Sequence, residues 1–256
     1  MQEKDALTTA ELWDQIWSVH DGSDSPRLRT RLASGRAWNR LLESLLDAPQ
    51  SNGSLDVLEL GCAPGAMITQ LHALRPQHRY RGLDISAAGL RVARSRLREA
   101  GIDAELLEGD VRDADLPGAD LVVSFGLAEH FADPAAAMRY HRRFVKPGGM
   151  VAVTVPNYAN PLIVRLLRRF SPETLATHNL AIMSVENIRE ASRAAGFVDV
   201  VSGRSGYAVI PNSRPRPGPV GTAYRFVTRA WNLASGVLPE GVPWASSIWA
   251  TGVNPD

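Results

Sequence analysis

Between residues 55 and 155 short apolar runs recur, each closing in glycine, aspartate or a turn cluster and each separated from the next by a longer amphipathic stretch. Uninterrupted apolar runs of this length suit strands buried on both faces, as in parallel sheets whose crossovers are helices. They fall at residues 55–60, 80–85, 104–107, 120–124 and 150–155. The segments 66–74, 87–100 and 134–145 between them predict helices, with Ser86 as an N-cap, Gly101 just past a C-terminus and Pro134 in a first turn. An α/β domain with parallel strands follows.

The flanks extend this pattern. Residues 9–19 and 29–46 predict helices that cap the core, with Leu12, Ile16 and Val19 on one stripe and Trp13 and Trp17 four residues apart on another. Beyond the fifth run, 185–195 predicts a helix, 198–210 a strand, 211–219 a proline-rich loop and 224–238 a helix. Residues 246–253 have room for one closing strand, and Pro243 before it makes a reversal of chain direction plausible.

Composition narrows the function classes. A chain of 256 residues buries roughly three quarters of its unfolded surface, enough for one substantial core. With 28 basic and 27 acidic side chains the net charge is +1, so no global field draws in nucleic acid. Cys62 is the single cysteine, which excludes an internal disulfide and a cysteine-based zinc site within one chain. The first residues are charged where a signal peptide is apolar, and no run approaches the roughly 20 apolar residues of a membrane span. The expectation is a cytoplasmic protein without nucleic-acid or membrane partners, its oligomeric state open.

The chemistry-bearing signal begins at Val57, where VLELGCAPG runs from a buried strand into Gly61, Cys62, Ala63, Pro64 and Gly65 before a helix. Glycines here let a ligand approach the backbone. The spacing is GxxxG and not the GxGxxG of a dinucleotide loop, which disfavours a nicotinamide cofactor. Asp84, in RGLDIS, sits where a strand-end carboxylate can accept hydrogen bonds from both hydroxyls of a ribose. Asp110, in LEGDV, can accept from an adenine amino group while Val111 packs on the ring.

In order, VLELGCAPG, RGLDIS, LEGDV, DLVVSFGLAEHF and VKPGGMVAVTVPN resemble the successive motifs of class I S-adenosylmethionine-dependent methyltransferases, in their small-molecule branch (methyltransferase type 11/12-like). The resemblance covers residues 56–157 closely and the C-terminal pattern more loosely. It implies a Rossmann-like, seven-stranded, mostly parallel sheet with helices on both faces, an antiparallel last strand and an N-terminal helical cap. It divides the chain into a cap over 1–50 and a methyltransferase domain over 51–256, with a cofactor-binding core at 55–157 and an acceptor-side lid at about 158–183. Gly61, Cys62, Ala63 and Gly65 would line S-adenosylmethionine (product S-adenosylhomocysteine), with Glu59 orienting its amino group and Asp84 and Ile85 at the ribose. Asp110 and Val111 would meet adenine, and Phe125, Gly126 and Leu127 would wall the sulfonium end.

On the acceptor side, the resemblance places His130, in LAEHF, as a candidate base and Glu129 as its neighbour for orienting an amine or a cationic partner. His178, in THNLAIMS, is a base or substrate ligand, or else a helix-end cap. Asn157 and Tyr158 project from the fifth strand toward substrate, or else form a turn. Trp13 and Trp17 close over acceptor and cofactor respectively, or else pack between helices. The segment PLIVRLLRRF, with Arg165, Arg168 and Arg169, is a solvated helix face over the core in preference to a membrane-surface element. In-line methyl displacement needs alignment and water exclusion and calls for no metal.

The leading expectation is methyl transfer to an oxygen or nitrogen of a metabolite, and the Arg- and Ala-rich composition fits bacterial specialised metabolism. RNA or protein methylation is the enzyme runner-up, although no basic stripe interleaved with aromatics is present. A regulator that binds the cofactor without turnover, and a nicotinamide-dependent oxidoreductase, also stay open, because a fold alone does not establish chemistry.

Overall fold

A computed structural model describes residues 5–18, 33–47, 53–207, 209–211, 218–235 and 245–255. Its centre is a seven-stranded sheet of β1 (Asp56–Leu60), β2 (Arg79–Asp84), β3 (Ala104–Glu108), β4 (Ala119–Phe125), β5 (Val145–Pro156), β6 (Val198–Ser205) and β7 (Ser247–Val253) in the order β3-β2-β1-β4-β5-β7-β6. β1 pairs in parallel with β2 and β4, and β7 runs antiparallel to both β5 and β6. The parallel strands and the reversed closing strand follow the sequence pattern, and the reversal lets β7 fill the slot between β5 and β6.

Side-chain alternation along the strands sends neighbours to opposite layers. Leu58, Val122, Val151 and Val153 enter one core with Met138 of α5 (Pro134–Arg142) and Ile188 of α8 (Val185–Ala194). Val57, Leu121, Val123 and Ala152 enter the other, against α2 (Ala33–Asp47), α3 (Ala66–Leu74) and α4 (Ala87–Glu99) through Leu42, Ile68 and Leu90. Both faces of the sheet are therefore covered, which is why these strands read as continuous apolar runs.

The caps follow local chemistry. Ser86 accepts from the Gly89 N–H at the start of α4, and Gly101 adopts φ +68° past its end. Asp133 accepts from the Ala135 N–H before Pro134. α5 stops at Arg142, short of the expected 145, because Val145 pairs with Ala119 and opens β5 five residues before the apolar run at 150. β6 ends at Ser205, short of the expected 210.

Further elements are α1 (Ala10–Ser18), α6 (Pro161–Phe170), α7 (Pro172–Ala176) and α9 (Pro219–Ala234). α9 begins at Pro219, ahead of the expected 224, because Pro219 supplies the first turn. The helix at 172–176 carried no signal in the sequence pattern. Expected helix residues 19, 29–32 and 236–238, the loop at 212–217 and Pro243 lie outside the described residues. On α6, Arg165, Arg168 and Arg169 are exposed while Leu167 is buried, and Leu162 also faces outward. No helix among the described residues is long and apolar enough to cross a membrane.

Two polar links tie elements of the fold, one within the sheet and one between sheet and helix. Arg81, 3% exposed, forks onto both carboxylate oxygens of Asp56 at 2.9 and 2.8 Å and joins β2 to β1. His141 of α5 sits 2.7 Å from the Ala137 carbonyl through Nδ1 and 2.8 Å from the Ser124 hydroxyl of β4 through Nε2. A carbonyl only accepts, so Nδ1 carries the proton and Nε2 accepts from the hydroxyl.

Burial pushes the His141 pKa down to about 4. An unfolded histidine titrates near about 6.5, so between those values the unfolded chain takes up a proton that the fold excludes. Stability is therefore unaffected by this group above about pH 6.5 and falls as the pH drops toward 4, by about 3 kcal/mol in all. Urea denaturation across that window should show the loss, and His141→Gln should flatten it.

Candidate active site

Strand order reverses at β1, which lies between β2 and β4, and a crevice opens there at the carboxyl ends of the strands. The loop after β1 is clamped by its own backbone. The Gly61 and Cys62 N–H groups donate to the Leu83 carbonyl at 2.8 and 3.2 Å, and Gly65 N–H donates to the Cys62 carbonyl at 2.7 Å. Gly61 and Gly65 hold φ of +72° and +78°, a region that disfavours side chains.

Asp84 completes the clamp. One carboxylate oxygen accepts from the Ala63 N–H at 2.9 Å and the other from the Ser86 N–H at 2.8 Å. Burial raises its pKa and the two N–H groups act against that rise.

Two adjoining chambers occupy the crevice. The first, about 250 Å3, is floored by Gly61 and Ala63, edged by Asp84 and Ile85, and flanked by Asp110 and Val111. Phe125, Gly126 and Leu127 form its far wall, and Trp13 and Trp17 of α1 lie over it. The second, about 550 Å3, is lined by Glu129, Tyr158, His178 and Trp38. Trp13, Phe125, Gly126 and His130 line both.

Four expected site residues stand apart from these walls. Cys62 is buried in the core, so close to Gly82 that a Cβ there would meet its sulfur at 2.6 Å, and burial pushes its thiol pKa up. It anchors the loop from behind. Gly65 lies against Ala93, where a Cβ would come within 3.1 Å of the α4 backbone, so it serves helix packing. The Asn157 amide donates to the Ala245 carbonyl at 2.8 Å and pins the entrance of β7. Glu59 lies buried next to the loop with its Oε2 lacking a hydrogen-bond partner among the described residues, and burial followed by the nearby Asp84 drives its pKa upward.

Asp110 lies in the crevice with its carboxylate engaged. It accepts from the Arg112 side chain through both oxygens, at 2.6 to 3.0 Å, and from the Arg112 N–H at 2.9 Å. The Arg112 hydrogen bonds hold it below the usual carboxylate range, against burial. An adenine amino group there would share this carboxylate with a guanidinium.

At the junction of the chambers, His130 Nδ1 approaches the Thr177 carbonyl at 2.6 Å. Its ring stands edge-on to Trp13 at 5.1 Å and to His178 at 4.7 Å, and Tyr158 lies 5.4 Å from His178. Glu129 is 1% exposed, its Oε2 has no hydrogen-bond partner among the described residues, and burial pushes its pKa up to about 8.

Residues 57–149 match the family described as methyltransferase domain. This stretch of the chain is similar to a methyltransferase domain. Over 122 residues the chain is 31% identical to a ubiquinone biosynthesis O-methyltransferase of Pseudomonas aeruginosa, covering 46% of this chain and 52% of that protein. It thus spans about half the length of the curated relatives it matches. Among solved structures, a chain of the Haloferax volcanii complex between a methyltransferase activator and the methyltransferase superposes with a TM-score of 0.59 at 22% identity, covering 95% of this chain and 99% of that one. The N-methyltransferase 2 of Haemonchus contortus, solved with phosphomonomethylethanolamine and S-adenosylhomocysteine, superposes at 0.58 and 15% identity, covering 93% and 61%. These structural likenesses establish the shared fold.

Contributors to the crevice from α1 and α2 leave no trace in the local sequence. Trp38 of α2 meets Phe125 edge-on at 5.8 Å and walls the second chamber. Asp14 of α1 reaches the start of α4, where one oxygen accepts from the Ser86 hydroxyl at 2.6 Å and the Ala88 N–H at 2.9 Å. The Ser86 hydrogen bond lowers its pKa. This contact spans 72 residues of sequence, so no local pattern could reveal it.

The latch works because α4 presents glycine to α1. A Cβ on Gly89 would meet Ala63 Cβ at 2.6 Å and Trp17 Cδ1 at 2.7 Å. Gly89→Ala should therefore lift α1 and lower stability by about 1–3 kcal/mol, read from the urea midpoint. An unchanged midpoint would show that α1 does not pack there in solution.

Proposed function

We propose that this chain is an S-adenosylmethionine-dependent methyltransferase acting on an oxygen or nitrogen of a small-molecule metabolite, in the cytoplasm and in the setting of bacterial specialised metabolism. The observation that carries this reading is the pair of chambers joined through Trp13, Phe125, Gly126 and His130, a nucleoside-scale one at the strand ends and a larger one beyond.

The residues fit such a cofactor. Gly61 and Ala63 let a chain lie against the loop and Asp84 stands where ribose hydroxyls can donate. Glu59, behind the loop and outside the chamber wall, has an Oε2 with no hydrogen-bond partner among the described residues, which suits an ammonium group. Leu83, Val111 and Phe131 supply apolar surface for a base. When bound, the cofactor supplies a methyl group activated by a positively charged sulfur.

The chain's own work is alignment, exclusion of water and handling of one proton. Trp13 and Trp17 cover the first chamber while Phe125, Trp38 and Tyr158 shape the second for a flat, largely apolar acceptor. His130 donates through Nδ1 to the Thr177 carbonyl, so its Nε2 carries the lone pair that can take a proton from the acceptor. His178 lines the same chamber as a second group for holding the acceptor. The identity to an O-methyltransferase supports the reading, and the net charge of +1 favours a small acceptor over RNA.

Asp84→Ala should weaken S-adenosylhomocysteine binding at least tenfold by calorimetry while circular dichroism stays native. Unchanged affinity in that folded variant would refute the ribose role. With an acceptor in hand, His130→Ala should lower turnover far more than cofactor affinity. Full turnover would leave alignment alone as the mechanism.

A further inference from the structure

Glu129, His130 and His178 are gathered from two segments of chain onto one wall of the second chamber. Each contributes one ligand-capable atom, and these atoms lie within 4.8 Å of one another. Glu129 and His130 come from the turn after β4, while His178 comes from the segment after α7. The two segments are locked together, since the Asn179 N–H donates to the Glu129 carbonyl at 2.7 Å and the Asn179 amide donates to the Phe131 and Ala132 carbonyls.

Thr177 orients both imidazoles. Its carbonyl accepts from His130 Nδ1 at 2.6 Å. Its hydroxyl lies 3.2 Å from the Glu173 and Thr174 carbonyls, which take its proton, so the oxygen accepts from His178 Nδ1 at 3.1 Å. Each ring thus turns its Nδ1 to Thr177, the arrangement that a metal-ligating histidine shows when one nitrogen is held by a neighbour. The Glu129 side chain, 1% exposed, has an oxygen with no hydrogen-bond partner among the described residues. A buried polar atom left unpaired is costly, a penalty that a cation on the chamber wall would remove.

We infer that Glu129, His130 and His178 form a binding site for one divalent transition cation, open on its remaining face to the acceptor. Two imidazoles and one carboxylate favour zinc-class ions over magnesium or calcium, which take all-oxygen sets. Donors about 2.0–2.2 Å from such an ion stand roughly 3.4 Å apart at tetrahedral angles, so small side-chain rotations close the triad. Three protein ligands leave the open position of a catalytic site. An acceptor hydroxyl coordinated there loses its proton to water more readily, and the resulting oxygen anion is the nucleophile for the methyl group. This role rests on the methyltransferase reading, narrows its acceptor to an oxygen, and makes His130 a ligand in place of a base, since the cation takes its Nε2 lone pair. The binding site itself does not depend on that reading.

The test uses the full chain, stripped with chelator and dialysed. Calorimetric titration with Zn2+ and visible absorption with Co2+ should both report one site per chain. Glu129→Gln and His178→Gln should each weaken it at least tenfold, while His72→Gln, in α3 beside Tyr80 and outside the chamber lining, should leave it intact. S-adenosylhomocysteine binding by every variant serves as the check on folding. No stoichiometric site in the wild-type chain, or a site of unchanged affinity in both triad variants, overturns the proposal. Absent S-adenosylhomocysteine binding with intact metal binding would instead sink the cofactor reading and leave the metal site standing.

Discussion

The Asp84 carboxylate is the joint on which the crevice depends. It ends β2, yet its two oxygens take N–H groups from the loop after β1 and from the entry to α4. Those two N–H groups belong to segments that must turn sharply away from the sheet, where no strand partner remains to satisfy them. One buried acceptor therefore closes the backbone accounting of both turns and fixes the distance between them. The glycines at 61 and 65 provide the positive φ values that the loop needs to meet it.

From that joint the order spreads outward through α4. Ser86 caps the helix and is itself gripped by Asp14, so α1 is tied to the same point that organises the loop. Gly89 removes the side chain that would hold α1 away, and Trp17 takes the space. The roof of the first chamber is thus coupled mechanically to its floor, and a ligand pressing on either should be felt by both. This coupling gives α1 a definite role in shaping the crevice.

The second chamber is held together differently. Its Glu129 and His130 follow β4 directly, whereas His178 and Thr177 arrive after α6 and α7, which return the chain across the strand ends. Rigidity comes from Asn179 bonding across to the turn, and ring orientation comes from Thr177. Trp13, Trp38, Phe125 and Tyr158 line the same chamber as this polar cluster, so whatever occupies the space meets aromatic rings and polar groups together.

What the linear order of residues determined is everything governed by short range: strand and helix alternation, the Ser86 and Asp133 caps, the Gly61 and Gly65 turns, and the arrival of Asp84, Asp110 and Phe125 at strand ends. Periodicity and capping are decided within a turn or two of chain, so they leave a readable trace. Tertiary packing alone decided which of those groups face the crevice. It turned Cys62 into the core, gave Asp110 to Arg112, bound Asn157 to the β7 entrance, brought Asp14 to Ser86, and set His178 against His130. Except for the Asp110 pair, these outcomes depend on distant segments competing for the same space and hydrogen bonds, and no local pattern encodes the winner.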